Sequence, residues 1–164
     1  MLALAFLISI SSAFAAKPRQ HIRPSRERVV RNLNHGLARS PMAGTGRELE
    51  AAGFAFHISP YFIAGIAATE SSLGAAACSG NPKNAFGLSS CTTGWAVPYF
   101  KTWAAAYNYM GRFLSSRWPG ARTPYDLWGY AADSTSWGNS TSRHMMELFG
   151  VSNETRYGAT SVVA

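Results

Sequence analysis

Glu70 is the ionisable residue of this chain best placed to do chemistry. It lies in the stretch SPYFIAGIAATESSLG, Ser59 to Gly74, three residues after Ala67, four after Ile66, seven after Ile63 and eight after Phe62. On a helix that spacing puts the carboxyl on the same stripe as those apolar side chains. A carboxylate on a buried helix face is costly. It also falls in the last turn, where the macrodipole disfavours negative charge. Both effects raise its pKa, and a carboxylic acid still protonated near neutral pH is what general-acid catalysis needs. The competing expectation is a glutamate that merely ends the helix and tips into solvent.

Two cysteines, Cys78 and Cys91, are the other reactive pair. In an exported chain an even pair reads as one disulfide, worth on the order of 3 kcal/mol for so short a loop. The alternative makes one of them a nucleophile working with His57 or His144, as in a cysteine peptidase. The chain has no His-Glu-x-x-His, no Cys-x-x-Cys, no Gly-x-Ser-x-Gly and no phosphate-cradling glycine loop. Its four histidines are scattered. Neither a metal site nor a cofactor is expected.

The elements that must position Glu70 follow from punctuation and periodicity. Ser59 is the expected N-cap of the central helix, with Pro60 at its first position and Gly74 just past its end. Before it, RELEAAGFAF predicts a short helix broken near Gly53. After it, AAACSGNPKNAFGLSSCTTGWAVPYF reads as loop. A second long helix is expected from about Phe100, with Phe100, Trp103, Tyr107, Met110 and Leu114 as its core stripe, ended by Arg117-Trp118-Pro119-Gly120. Thr123 to Asp126 resembles a capping box with Pro124 at the first helical position, opening a helix that carries Leu127, Trp128, Tyr130 and Ala131. A last helix is expected from about Asn139 to Phe149, stopped by Gly150. Strand signals are weak, so the expected class is mainly α, in one domain over residues 44–150.

The flanks read differently. Residues 2–15 form an apolar run ending in Ala13-Phe14-Ala15, a small-x-small cleavage pattern, though no Lys or Arg precedes it. Residues 1–15 are expected to be a secretory signal peptide; an uncleaved anchor or an apolar N-terminal helix are the alternatives. The chain is then exported, whether periplasmic, extracellular or wall-associated. Residues 17–50 hold eight Lys/Arg against three Glu, or +5 of the total formal charge of +7. Residues 16–43, basic and proline-spotted, are expected to be a flexible linker, and 151–164 a short polar tail. The six basic residues from Lys17 to Arg31 suit an anionic wall polymer or membrane surface, or a solvated tether with no partner. No aromatics are interleaved there, so nucleic acid is not an expected partner. A monomer is expected.

Ala-x-x-Glu-Ser-Ser-x-Gly (Ala67 to Gly74), preceded by Ile58-Ser59-Pro60 and followed by Asn84-Ala85-Phe86-Gly87-Leu88, resembles the lysozyme-like superfamily of peptidoglycan-cleaving enzymes. Within it the pattern is most similar to bacterial endo-β-N-acetylglucosaminidases, with soluble lytic transglycosylases next. Gly94-Trp95, the helix led by Phe100, and Tyr130-Ala131-Ala132-Asp133 continue the resemblance, which covers about residues 45–150. It implies a lysozyme-like fold with a substrate groove beside the central helix, and Glu70 as general acid on the glycosidic oxygen. It further implies that Asn84, Phe86 and Gly87 shape the groove floor and that Tyr130 faces Glu70 across it as a second catalytic residue, its hydroxyl orienting the substrate acetamido group or stabilising the developing positive charge; the alternative is a buried tyrosine that donates to a backbone carbonyl. The family element continues from Asp into Pro, whereas here Asp133 precedes Ser134-Thr135-Ser136. Glycosidases ordinarily use two carboxylates. After Glu70 the chain offers Asp126, Asp133 and Glu147 before the tail. Of these Asp133 is the best placed, while a substrate acetamido oxygen or sugar hydroxyl is the other source of the second group. Trp95, Tyr99, Trp128 and Trp137 are candidate sugar platforms, and Ser71 and Ser72 candidate substrate contacts; the alternative for Ser71 is a bond back into its own helix.

Overall fold

The computed structural model describes residues 25–88, 97–151, 153 and 155–157. Among these, five α-helices and no strand are found: α1 (Arg26–Leu37), α2 (Gly46–Phe56), α3 (Pro60–Ser71), α4 (Trp103–Arg117) and α5 (Ser134–Phe149), with a one-turn 3-10 helix at Pro124–Asp126. The chain is mainly helical, as expected. None of these helices is long and apolar enough to cross a membrane. Residues 1–15 lie outside the described residues.

α3 is the central element. Every residue from Pro60 to Ala68 is buried, so the helix is apolar all round and not along one stripe only. Such a helix must be enclosed by others. α5 and α2 pack along it, α4 packs on α2, and α1 on α2 and α5. The α3–α5 crossing is close because position 65 is glycine: a Cβ there would stand 2.6 Å from Met145 Cγ. Phe62, Ile63, Ile66, Phe86, Tyr107, Met110 and Met145 fill the space between the helices.

Several boundaries differ from the expected ones. Residues 26–37 are not linker. Ser25 caps α1 by accepting from the Arg28 amide, and Val29, Leu33 and Leu37 are fully buried. Each such side chain contributes roughly 1.5–3 kcal/mol through burial, so α1 belongs to the folded body. Its apolar residues do follow a helical rhythm, hidden in sequence by the arginines between them. α2 runs unbroken through Gly53, where a Cβ would press on the Ile58 carbonyl at 2.7 Å and on Pro60.

α3 ends at Ser71, with Ser72 (φ 51°) and Leu73 (φ 59°) left-handed, one turn-residue earlier than a Gly74 stop requires. Ser59 holds the N-cap position, but its hydroxyl makes no capping bond and is buried without a hydrogen-bond partner. α4 begins at Trp103, capped by the Thr102 hydroxyl, and Phe100 lies before it in the core. Thr123 and Asp126 do form a capping box, yet the helix stops after one 3-10 turn, and Leu127 to Ala131 are not helical. α5 starts five residues earlier than expected because Asp133 caps it, its Oδ1 accepting from Ser136 N at 3.0 Å. Gly150 (φ 68°) ends α5 where the sequence places the stop.

Residues 155–157 of the polar tail are fastened to the helical body. Ser59 N donates to Thr155 O at 2.8 Å, Thr155 is 1 % exposed, and Ile58 and Arg156 form an isolated bridge. Tyr157 Oη donates to Glu50 Oε1 at 2.9 Å, and Arg26 closes on the same carboxylate with two bonds of 2.7 Å. Glu50, 2 % exposed, thus ties α1, α2 and the C-terminal segment together.

Candidate active site

Glu70 sits in the last turn of α3 and is half-buried. Its Oε1 accepts from Trp137 Nε1 at 2.6 Å. Burial pushes the carboxyl above its ordinary value of 4.5, and the Trp137 N–H, which stabilises the charged form, partly offsets that rise. The rise matches the sequence expectation and comes chiefly from desolvation. Trp137 was not foreseen in this role. It is 7 % exposed on the first turn of α5, so it braces the acid and is not an open platform for a sugar ring.

The Asn84–Gly87 turn is brought to the acid. Gly87, exposed and at φ 62°, lies against Glu70 so closely that a Cβ would strike Oε2 and come within 2.9 Å of Cδ. Glycine is required there both for the left-handed backbone and for the space. Asn84 is 6 % exposed, and its Oδ1 has no hydrogen-bond partner. Phe86 corrects an expectation: its ring is fully buried, edge-on to Tyr107 with centroids 6.4 Å apart, and is core, not groove floor. What it offers the site is its carbonyl.

That carbonyl accepts from Tyr130 Oη at 2.5 Å. The hydroxyl is raised well above its usual range, by burial first and by the charge of Glu70 second. Tyr130 therefore lies within electrostatic reach of Glu70. Its one proton, however, is committed to the turn and not to a ligand. Its ring packs on Trp137 at 4.8 Å and on Trp118 at 5.9 Å, which locks the acid's hydrogen-bond donor from behind.

Ser71 is likewise spent on the fold. Its Oγ donates to Ala85 O at 2.9 Å, accepts from Gly74 N at 2.9 Å and is 3.2 Å from Ala67 O. It is 5 % exposed, so it couples the end of α3 to the turn and does not face a substrate. Asn81 does similar work unforeseen: Nδ2 donates to Pro98 O at 3.0 Å and Oδ1 accepts from Phe100 N at 3.1 Å. Its position in a Ser-Gly-Asn-Pro run, where Asn favours side-chain-to-backbone bonds, is the sequence signal.

Behind Glu70, Thr69 Oγ1 donates to Gly65 O at 3.0 Å and meets Thr141 Oγ1 and His144 Nδ1 at 3.1 Å each. Trp137, Thr141 and His144 are thus one face of α5, spaced at four and three, turned to the end of α3. His144 is held below its ordinary pKa by burial, then by Arg143.

The other carboxylates have separate tasks. Asp133, exposed, caps α5. Asp126 accepts from Arg122 N and Thr123 N at 2.8 Å each, and these bonds hold it below the usual carboxylate range. Glu147 is exposed beside Arg143 at 4.0 Å. Of the candidate platforms, Trp128 (66 %) and Tyr99 (60 %) are exposed. Trp95 and Cys91 lie outside the described residues, and Cys78 is no free thiol. His144 bonds Thr69 and not a sulfur. The chain matches no protein-family model and no curated protein.

Proposed function

We propose that this chain is an exported peptidoglycan-cleaving glycosidase of the endo-β-N-acetylglucosaminidase type, lysozyme-like in fold, with Glu70 as its general acid. One observation carries the reading: a desolvated carboxyl at the end of an enclosed helix, held on one oxygen by Trp137 and faced on the other by Gly87. A neutral carboxyl there delivers its proton to a bridging sugar oxygen while the substrate's own acetamido oxygen attacks the anomeric carbon, to be displaced later by water; as the leaving group departs the Trp137 N–H stabilises the carboxylate that remains. Positioned general acids contribute typically 10²–10⁴-fold in rate. The exposed backbone of Gly87 is the group beside the acid that is open to a glycan, while Asn84, as enclosed as Ser71, stands behind it in the turn.

A second reading, a lytic transglycosylase, is favoured by the fate of the other carboxylates. Asp133 and Asp126 cap helices, which leaves the substrate's own acetamido oxygen or hydroxyl to attack the anomeric carbon. Digestion of purified sacculi followed by mass spectrometry of the released muropeptides tests both. Reducing N-acetylglucosamine ends are expected from the hydrolase and anhydro ends from the transglycosylase. Glu70→Gln abolishes either. Binding of sacculi without cleavage by wild type overturns the enzymatic reading in favour of a wall-binding module.

A further inference from the structure

The exposed side of α1 carries a feature independent of the Glu70 chemistry. All the apolar residues of α1, Val29, Val30, Leu33 and Leu37, are buried, while Arg28, Arg31 and His35 are exposed. The latter follow at three and four residues, which places them in one row. Arg39, four residues further and just past the helix end, is exposed as well. From 28 to 39 the row extends over about 16 Å at the helical rise. Among the described residues the ion pairs are Arg26–Glu50 and Arg143–Glu147, so Arg28, Arg31 and Arg39 have no carboxylate partner. The neighbouring cleft between α1 and α2 is different: Arg26 and Arg47 are balanced there by Glu27 and Glu50.

We propose that the Arg28–Arg31–His35–Arg39 row is a docking surface for a linear, base-free and lipid-free polyphosphate polymer, laid along α1. Guanidinium groups match phosphate oxygens two at a time, which ammonium groups do not. The row has no aromatic side chain on which a base stacks, so a nucleic acid gains nothing beyond its phosphates. Because every apolar residue of α1 faces the core, none remains to insert among lipid chains. Charge alone holds the polymer, and binding is correspondingly salt-dependent.

The test uses the full chain and a sodium polyphosphate of defined length, titrated at several salt concentrations. Replacing Arg28, Arg31 and Arg39 together by Gln is expected to weaken binding on the order of tenfold or more, and to flatten the slope of log K against log salt by about 2, at roughly 0.7 per phosphate contact. Arg112→Gln, Arg122→Gln and Arg143→Gln combined remove the same charge from other exposed positions and leave affinity and slope unchanged. Equal losses in both triple variants mean diffuse charge attraction and overturn the proposal. So does an unchanged α1 variant. No polyphosphate binding by wild type, with phosphatidylglycerol vesicles or single-stranded DNA bound through the same arginines, replaces the proposed occupant with a lipid surface or a nucleic acid. Circular dichroism of each variant confirms that the helices persist.

Discussion

Trp137 Nε1 donates to Glu70 Oε1 at 2.6 Å, joining the first turn of α5 to the last turn of α3. The bond opposes the desolvation that raises the carboxyl's pKa. Trp137→Phe removes the donor, so the pKa of Glu70 rises further. If Glu70 is the acid, the alkaline limb of the pH–rate profile moves to higher pH while the maximal rate falls. An unmoved limb in a folded Trp137→Phe protein shows that the bond does not tune the acid.

Glu70→Gln separates activity from stability. Rate on sacculi is expected to fall by at least about 10²-fold. Stability moves the other way. A carboxyl whose folded pKa lies above its unfolded value binds its proton more tightly when folded, so it costs stability as pH rises above the unfolded value near 4.5. The neutral amide escapes that cost. Its melting temperature should exceed that of wild type at pH 7 and converge with it below about pH 4. Thermal melts across that range check the sign.

Gly87→Ala meets two penalties, a left-handed backbone and the Glu70 carboxyl. The first alone costs roughly 1–2 kcal/mol. The second vanishes when the carboxyl is absent, so Gly87→Ala should be less damaging in a Glu70→Ala background. Denaturant titrations of the four proteins measure the coupling.

Tyr130→Phe leaves the Phe86 carbonyl without its donor. A loss of about 1–3 kcal/mol is expected. If the tyrosine serves only the turn, activity per folded molecule is retained at low temperature, which steady-state assays on sacculi decide.

The central helix was legible because its start and its acid are written in local terms: a Ser-Pro entry, an apolar body and one carboxyl on it. The stop at Gly150 was legible for the same reason. α1 was not, since Arg28 and Arg31 interrupt an apolar rhythm that only burial reveals, with Val29 and Leu33 fully enclosed. Nor was the start of α5, because Ser134-Thr135-Ser136 reads as loop until Asp133 is seen accepting from Ser136 N. The site divides in the same way. Glu70 and Gly87 stand together as their motifs suggest. Trp137, 67 residues away in sequence, supplies a partner that no local pattern connects to the acid. Ser71 and Phe86 carry the right residue types in the right places, but their polar and aromatic groups are consumed by packing.

The Glu50 carboxylate, met by Arg26 from one side and by Tyr157 from the other, has a topological consequence. Among the described residues, the first helix and the last residue are fastened to a single point. A short peptide joining them closes the chain into a ring, and fresh ends opened at the exposed Pro119-Gly120 corner yield a permuted protein with the same helices in a new order.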